Sequence, residues 1–155
     1  MRMRRAFTFV EVAVVLIILG ILAAMVVPRF GGITDDARTA SVQGTVNGVR
    51  ASIAAYRTNA LLAGNPPFPS LKELLTPGIV LQGELPPNPM TGVGGIREVS
   101  ASAANDRVVD GEEKYGWNYY VDNSAKPPVA IFYANSANAT TAKNSDGKPL
   151  NANEL

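Results

Sequence analysis

Residues 7–28 read FTFVEVAVVLIILGILAAMVVP, a run of 22 whose apolar character is broken only by Thr8 and Glu11. From Val12 to Val27, sixteen consecutive residues carry neither a charge nor a side-chain hydrogen-bonding group. A helix needs about 20 largely apolar residues to cross the core of a bilayer, so this stretch is long enough to span one. The six residues before it, MRMRRA, hold Arg2, Arg4 and Arg5 and no acid. Basic residues ahead of the span and a long chain after it place the N-terminus in the cytoplasm and the rest outside.

The remaining composition narrows the function. The 155 residues include 14 Lys+Arg and 13 Asp+Glu, a formal net charge of +1. Without the three leader arginines the balance is 11 bases to 13 acids, so there is no basic surplus to attract nucleic acid. There is no His and no Cys, which removes the usual zinc sites, cysteine nucleophiles, histidine triads and disulfides. Charged residues are only 17% of the chain while Gly and Pro number 14 and 11. That combination describes one concentrated apolar segment joined to a loop-rich domain too small to be two.

Two plain readings of the N-terminus are a cleaved secretory signal and a simple single-span anchor. Neither gives Glu11 a purpose. A carboxylate at mid-bilayer costs on the order of 2.5–3.5 kcal/mol on insertion scales, and less where it snorkels to the edge.

The whole string RRA-FTFVEVAVVLIILGILAAMVVP resembles the N-terminus of type IV pilins and of the pseudopilins of type II secretion. The family pattern is a short basic leader, a small residue, a Phe, and a Glu at the fifth mature position of an apolar helix that ends near a Pro. Here Ala6 closes the leader, Phe7 opens the mature chain, Glu11 is the acid, Gly20 the mid-helix glycine and Pro28 the helix proline. Ala6 stands where the family has Gly; it is the nearest residue in size. The resemblance implies that a prepilin peptidase cuts between Ala6 and Phe7 and that the new amine of Phe7 is methylated. It implies partners as well: further copies of the chain or related pilins, and an inner-membrane assembly platform. The implied location is the bacterial inner membrane, with a periplasmic C-terminus, and then a filament. A buried carboxylate needs a partner, and the amine of Phe7 on a neighbouring subunit would be one. Leader removal would then be the switch for assembly.

Beyond Pro28 and the Gly31-Gly32 pair the helical period resumes. Val42, Val46, Val49, Ile53, Tyr56 and Ala60 form an apolar stripe, while Gln43, Asn47, Arg50, Arg57 and Asn59 suit the opposite face. The stripe predicts packing against the protein's own domain. A helix from Phe7 to Ala63 would be 57 residues, about 85 Å if continuous, with Gly20, Pro28 and Gly31-Gly32 as places where it bends or melts. Ser70-Leu71-Lys72-Glu73 has capping-box form. Residues 79–81 read as extended, residues 86–92 as a turn-rich loop, and residues 96–99, 115–121 and 129–133 as strands. The fold class expected is α+β: a long N-terminal transmembrane and amphipathic helix packed on a small antiparallel sheet, pilin-like. The expected divisions are leader 1–6, membrane and assembly half 7–28, amphipathic half 29–63, head 64–136 and a flexible tail 137–155 rich in Ala, Asn, Thr and Ser.

Other candidate sites are weaker. Asp106, Asp110, Glu112, Glu113 and Asp122 lie near the sheet and offer oxygen ligands of the kind Ca²⁺ takes, as major pseudopilins do in a C-terminal loop. They lack EF-hand spacing, so no metal or other cofactor is assigned. Trp117 and Tyr119 offer either a sugar-binding platform or core packing. Asn138-Ala139-Thr140 is a glycosylation sequon by pattern. No nucleophile–base pair stands out, so no enzyme is expected. The reading reached is a filament subunit of a type II secretion pseudopilus. A type IV pilus pilin is the alternative within the class, and a membrane-anchored binding module using Trp117 the alternative outside it.

Overall fold

The computed structural model describes residues 8–110 and 114–155, without the side chains of residues 26–31. The element order is α1 (Phe9–Leu62), α2 (Leu71–Leu75), β1 (Ile96–Glu98), α3 (Ala101–Asn105), β2 (Trp117–Asp122), β3 (Val129–Ala134), β4 (Ala139–Lys143), β5 (Pro149–Asn151) and a 3-10 turn, Ala152–Glu154. The fold is α+β, a long N-terminal helix with a small sheet. The expected helix matches α1 to within two residues at each end, and α1 is helical through Gly20, Pro28 and Gly31-Gly32. By its contacts the chain divides between Asp35 and Asp36 into two units.

In the second unit the predicted stripe is the core. Val42 and Val46 are fully buried, Val49, Ile53 and Ala60 nearly so, and Thr39 extends the stripe by one turn. Val42, Val46, Val49 and Ile53 cluster with Leu74, Ile96, Trp117, Tyr119, Phe132, Ala134 and Ala152. Strand alternation sends Trp117 and Tyr119 to this face. Trp117 stacks on Phe132 with ring centroids 5.6 Å apart. Their polar ends are satisfied inside: Trp117 Nε1 donates to the Pro86 carbonyl at 2.9 Å, and the Tyr119 hydroxyl to that of Pro69 at 2.7 Å. Burial pushes the Tyr119 phenol well above its ordinary value.

The sheet is mixed where an antiparallel one was expected. β2 and β3 pair antiparallel, Trp117 opposite Ala134 through Asp122 opposite Val129. β1 and β2 pair parallel, with Ile96 opposite Trp117. A parallel pair needs a crossover of a dozen residues or more, and the stretch from Val99 to Gly116, which contains α3, supplies it. That crossover also covers the sheet's second face. Asn118 and Tyr133 are cross-strand partners there and both are fully buried. The Tyr133 hydroxyl donates to the carbonyls of Ala103 and Val108. Asn118 donates to Asn135 Oδ1 and accepts from Arg97, whose guanidinium pairs with Asp110.

Two further expectations are corrected. Residues 79–81 are not extended: Pro77-Gly78 starts a turn, with Gly78 at φ +85° and its N–H on the Leu81 carbonyl at 2.7 Å. Residues 137–155 are not a flexible tail. β4 and β5 form a hairpin around Asn144–Gly147, whose Asn144 side chain accepts from the N–H of Asp146 and of Lys148. Thr141 N–H donates to Thr39 Oγ1, Asn153 Nδ2 to the Arg107 carbonyl, and Ala152 is fully buried. Small polar residues supply too little apolar surface to look like core, but backbone bonds and one buried methyl suffice to dock them.

The capping box forms as read: Ser70 Oγ accepts from Glu73 N–H, and Glu73 Oε2 accepts from Ser70 N–H at 2.8 Å. Tyr56 donates to the same carboxylate at 3.0 Å and ties α2 to α1. The Ser70 bonds, and then that from Tyr56, hold the Glu73 carboxyl below its ordinary value of 4.5. A group with a depressed folded-state pKa contributes stability above its unfolded value and loses it as pH falls through the folded one. Wild-type protein in detergent should therefore lose melting temperature steadily below about pH 4.5. Glu73→Gln should melt lower at pH 7 and show a flatter acid limb.

Gly116 is a second test of the packing. A Cβ there would sit 2.1 Å from the Val93 carbonyl oxygen, which already accepts from Asn88 N–H at 2.8 Å. Gly116→Ala should destabilise by about 1–3 kcal/mol through forced backbone movement, read as a lower thermal midpoint. The same substitution at Gly44, with open space around it, should not destabilise.

Candidate functional site

The first unit has a different character. Ahead of Val26, the large apolar side chains of α1 are exposed on every face: Phe9 is 88% exposed, and Leu16, Ile17 and Met25 all exceed 60%. A helix that is apolar all round is stable only when something outside it supplies cover. No helix among the described residues is long and apolar enough to cross a membrane.

Glu11 sits at the start of this helix and is exposed. Its Oε2 accepts from Thr8 N–H at 2.9 Å and from Thr8 Oγ1 at 3.0 Å, while Thr8 Oγ1 accepts from Glu11 N–H at 3.3 Å. Thr8-Phe9-Val10-Glu11 is thus a reciprocal cap on the N-terminus of α1. The signal for it is present in the sequence, since T-x-x-E has the same form as the box at Ser70–Glu73. It is overshadowed there by the more conspicuous feature of Glu11, a charge in an apolar run. Capping orients the carboxylate toward the start of the helix and leaves it solvent-facing.

Ala6 and Phe7 lie outside the described residues, as do Glu112 and Glu113. Gly20 lies within α1 with open space where a Cβ would project, and the backbone of Pro28 is helical. The aromatic platform does not exist as a surface. Trp117 and Tyr119 are both 0% exposed, so core packing is their role and the binding-module reading loses its site. The acids near the sheet are engaged separately: Asp110 with Arg97, and Asp122 with the N–H groups of Ser124 and Ala125 in the turn after β2. Asp106 follows α3 as its C-cap. Among the described residues no group of three or more Asp or Glu is placed to hold a metal. In the sequon, the Thr140 hydroxyl is committed to the Leu150 carbonyl at 2.7 Å.

Comparison with known proteins bears on the same segment. The family described as the prokaryotic N-terminal methylation motif matches residues 1–27. The chain is 46% identical over 56 residues to the type IV narrow pilus major component PilA5 of Thermus thermophilus, covering 36% of this chain and 48% of that protein. It is 38% identical over 56 residues to the type II secretion system core protein G of Pseudomonas aeruginosa, covering 36% of this chain and 39% of that one. The chain therefore matches less than half the length of either relative. No solved structure matches it. Residues 1–27 match the prokaryotic N-terminal methylation motif, 56 residues of the chain are similar to a type IV pilus subunit and 56 to a type II secretion core protein, and the motif stands at the head of an α+β fold.

Proposed function

We propose that this chain is a structural, non-catalytic subunit of a type II secretion pseudopilus. The observation that carries the reading is the all-round exposed apolar surface of α1 between Phe9 and Met25, within the stretch that matches the methylation motif. The uncleaved chain sits in the bacterial inner membrane with Arg2, Arg4 and Arg5 on the cytoplasmic side and the head in the periplasm. A prepilin peptidase cuts between Ala6 and Phe7 and the Phe7 amine is methylated. The assembly platform then adds the subunit to a filament, where neighbouring apolar helices exchange lipid cover for one another. No metal is part of this reading; a melting temperature that EDTA lowers by several degrees and Ca²⁺ restores would overturn that. The competing reading within the class, a type IV pilus pilin, is favoured by the higher identity to the pilus component.

Glu11 supplies the register. Its carboxylate takes the Phe7 amine of the preceding subunit as counter-charge once the leader is gone, because Arg5 and Ala6 no longer obstruct it. The Thr8 cap holds the carboxylate at the end of the helix where that amine arrives. Gly20 and Pro28 weaken α1 between its two halves, Pro28 by lacking an N–H for the helical ladder, so that the segment adjusts as subunits pack.

Two experiments test this. Mass spectrometry of membrane-extracted protein should find N-methyl-Phe7 as the first residue; an intact Met1, or a start beyond Val27, would overturn the processing. A bulky residue in place of Ala6 should block it, and Ala6→Gly should preserve or speed it. Filament yield should then be compared with processed, inserted monomer for three Glu11 variants. Glu11→Gln retains a capping-box residue but loses the charge, so it separates capping from pairing. Removing one member of a buried pair costs on the order of 3–5 kcal/mol, so Gln and Val should both insert and be cleaved yet form no filaments, and Asp should form few. Normal filaments from Glu11→Gln would remove the pairing.

A further inference from the structure

A cleft of about 220 Å³ opens between α1 and β3 in the head. Three arginines border it, Arg50, Arg57 and Arg107, with an apolar floor that includes Ile53, Phe68 and Ile131; none of the lining residues is Asp or Glu. Among the described residues no acidic side chain pairs with any of the three. Arg107 is held in place by unusual means. It is a non-glycine residue at φ 53°, its carbonyl accepts from Asn153 Nδ2, and its guanidinium lies 5.3 Å from the Tyr133 ring centroid. Yet its Nη1 is buried with no hydrogen-bond partner. Arg57 stacks over Phe68 at 5.0 Å, which leaves the edge of its planar fork for other partners. Arg50 Nη2 donates to the oxygens of Phe132 and Leu155. Leu155 does not line the cleft. Burial, and then the charge of Arg107, lower the Arg50 pKa.

Three arginines around a cleft lined by no acid favour an anionic ligand, and Arg107 also carries a buried donor without a partner. Guanidinium forks match planar carboxylates bidentately. The apolar floor favours an acid carried on hydrocarbon over a fully hydrated inorganic ion, and the volume admits roughly seven heavy atoms. We propose that this cleft is a carboxylate-binding site that takes an acid on a short apolar stem, with Arg107 and Arg57 as its principal donors. The same chemistry is offered by a free short-chain acid and by a Glu side chain of a second copy. The site is complete in a single head, so it stands apart from the filament reading.

The test uses the full chain, ¹⁵N-labelled, in maltoside micelles, with the arginine Nε–H resonances as readout. Sodium butyrate should move Arg107 and Arg57 saturably, while sodium chloride at equal ionic strength should not, and inorganic phosphate should bind about tenfold more weakly or not at all. Arg107→Gln should weaken butyrate about tenfold or more. Arg57 is exposed, so Arg57→Gln keeps the fold and should also weaken it. Diluting unlabelled chain into the sample separates the sources. Shifts that follow chain concentration identify a neighbour's acid, and shifts that follow butyrate alone identify a free one. No saturable response to either, tighter binding of phosphate than of butyrate, or unchanged butyrate binding in Arg57→Gln would overturn the proposal.

Discussion

Everything in this protein follows from an apolar helix surface that the chain itself does not cover. In the described part of the first unit, side chains as large as Phe9, Leu16 and Ile17 face outward around the whole circumference of α1. At about 25 cal/mol per Å² of apolar area, leaving such a surface in water is costly, and the proposed cover by lipid or by other copies would relieve that cost. The helix carries one group that neither kind of cover tolerates alone, the carboxylate of Glu11. Its own cap from Thr8 satisfies hydrogen bonds without neutralising charge. In the function proposed above, the counter-charge is the Phe7 amine of a processed neighbour, which would reconcile the two demands and make assembly conditional on cleavage.

The same helix organises the head by the opposite logic. Between Thr39 and Ala60, Val42, Val46, Val49 and Ile53 share one face and are buried in a cluster with Trp117, Tyr119 and Phe132. Polar side chains within this core are mostly paired rather than avoided, with Arg97 Nε a buried exception. Tyr119, Trp117 and Asn88 each reach a backbone carbonyl, and Asn118, Asn135 and Arg97 join β1, β2 and the segment after β3. Without a disulfide, these bonds give the small sheet a unique arrangement, because a one-residue slip would orphan several of them at once.

The long helix, its stripe, the cap at Ser70 and the three central strands were legible because each rests on a local pattern: a period, a cap spacing or a strand composition. The alternation that places Trp117 and Tyr119 inward was legible for the same reason. What escaped depends on contacts distant in sequence. The parallel pairing of β1 with β2 is set by the crossover through α3, which no strand pattern encodes. The docking of residues 137–155 rests on backbone bonds to Thr39 and Arg107 and on Ala152, all of which look featureless as sequence. Asn144-Ser145-Asp146-Gly147 has turn chemistry, but the stretches on either side of it are too polar to read as strands. In the candidate site, the apolar run and Glu11 were evident from the residues, whereas the Thr8 cap was hidden behind the more conspicuous placement of Glu11 as a charge in an apolar run.

The central claim is that copies of this chain cover one another's apolar helix after processing. A photoreactive side chain placed at Ile17, which is 61% exposed, reports directly what lies against it. In cells that cleave the leader, irradiation should give a ladder of covalent oligomers of this chain, reduced to lipid adducts when a bulky residue at Ala6 blocks processing. Lipid adducts alone from the processed chain, or oligomers that form equally without cleavage, would contradict the account.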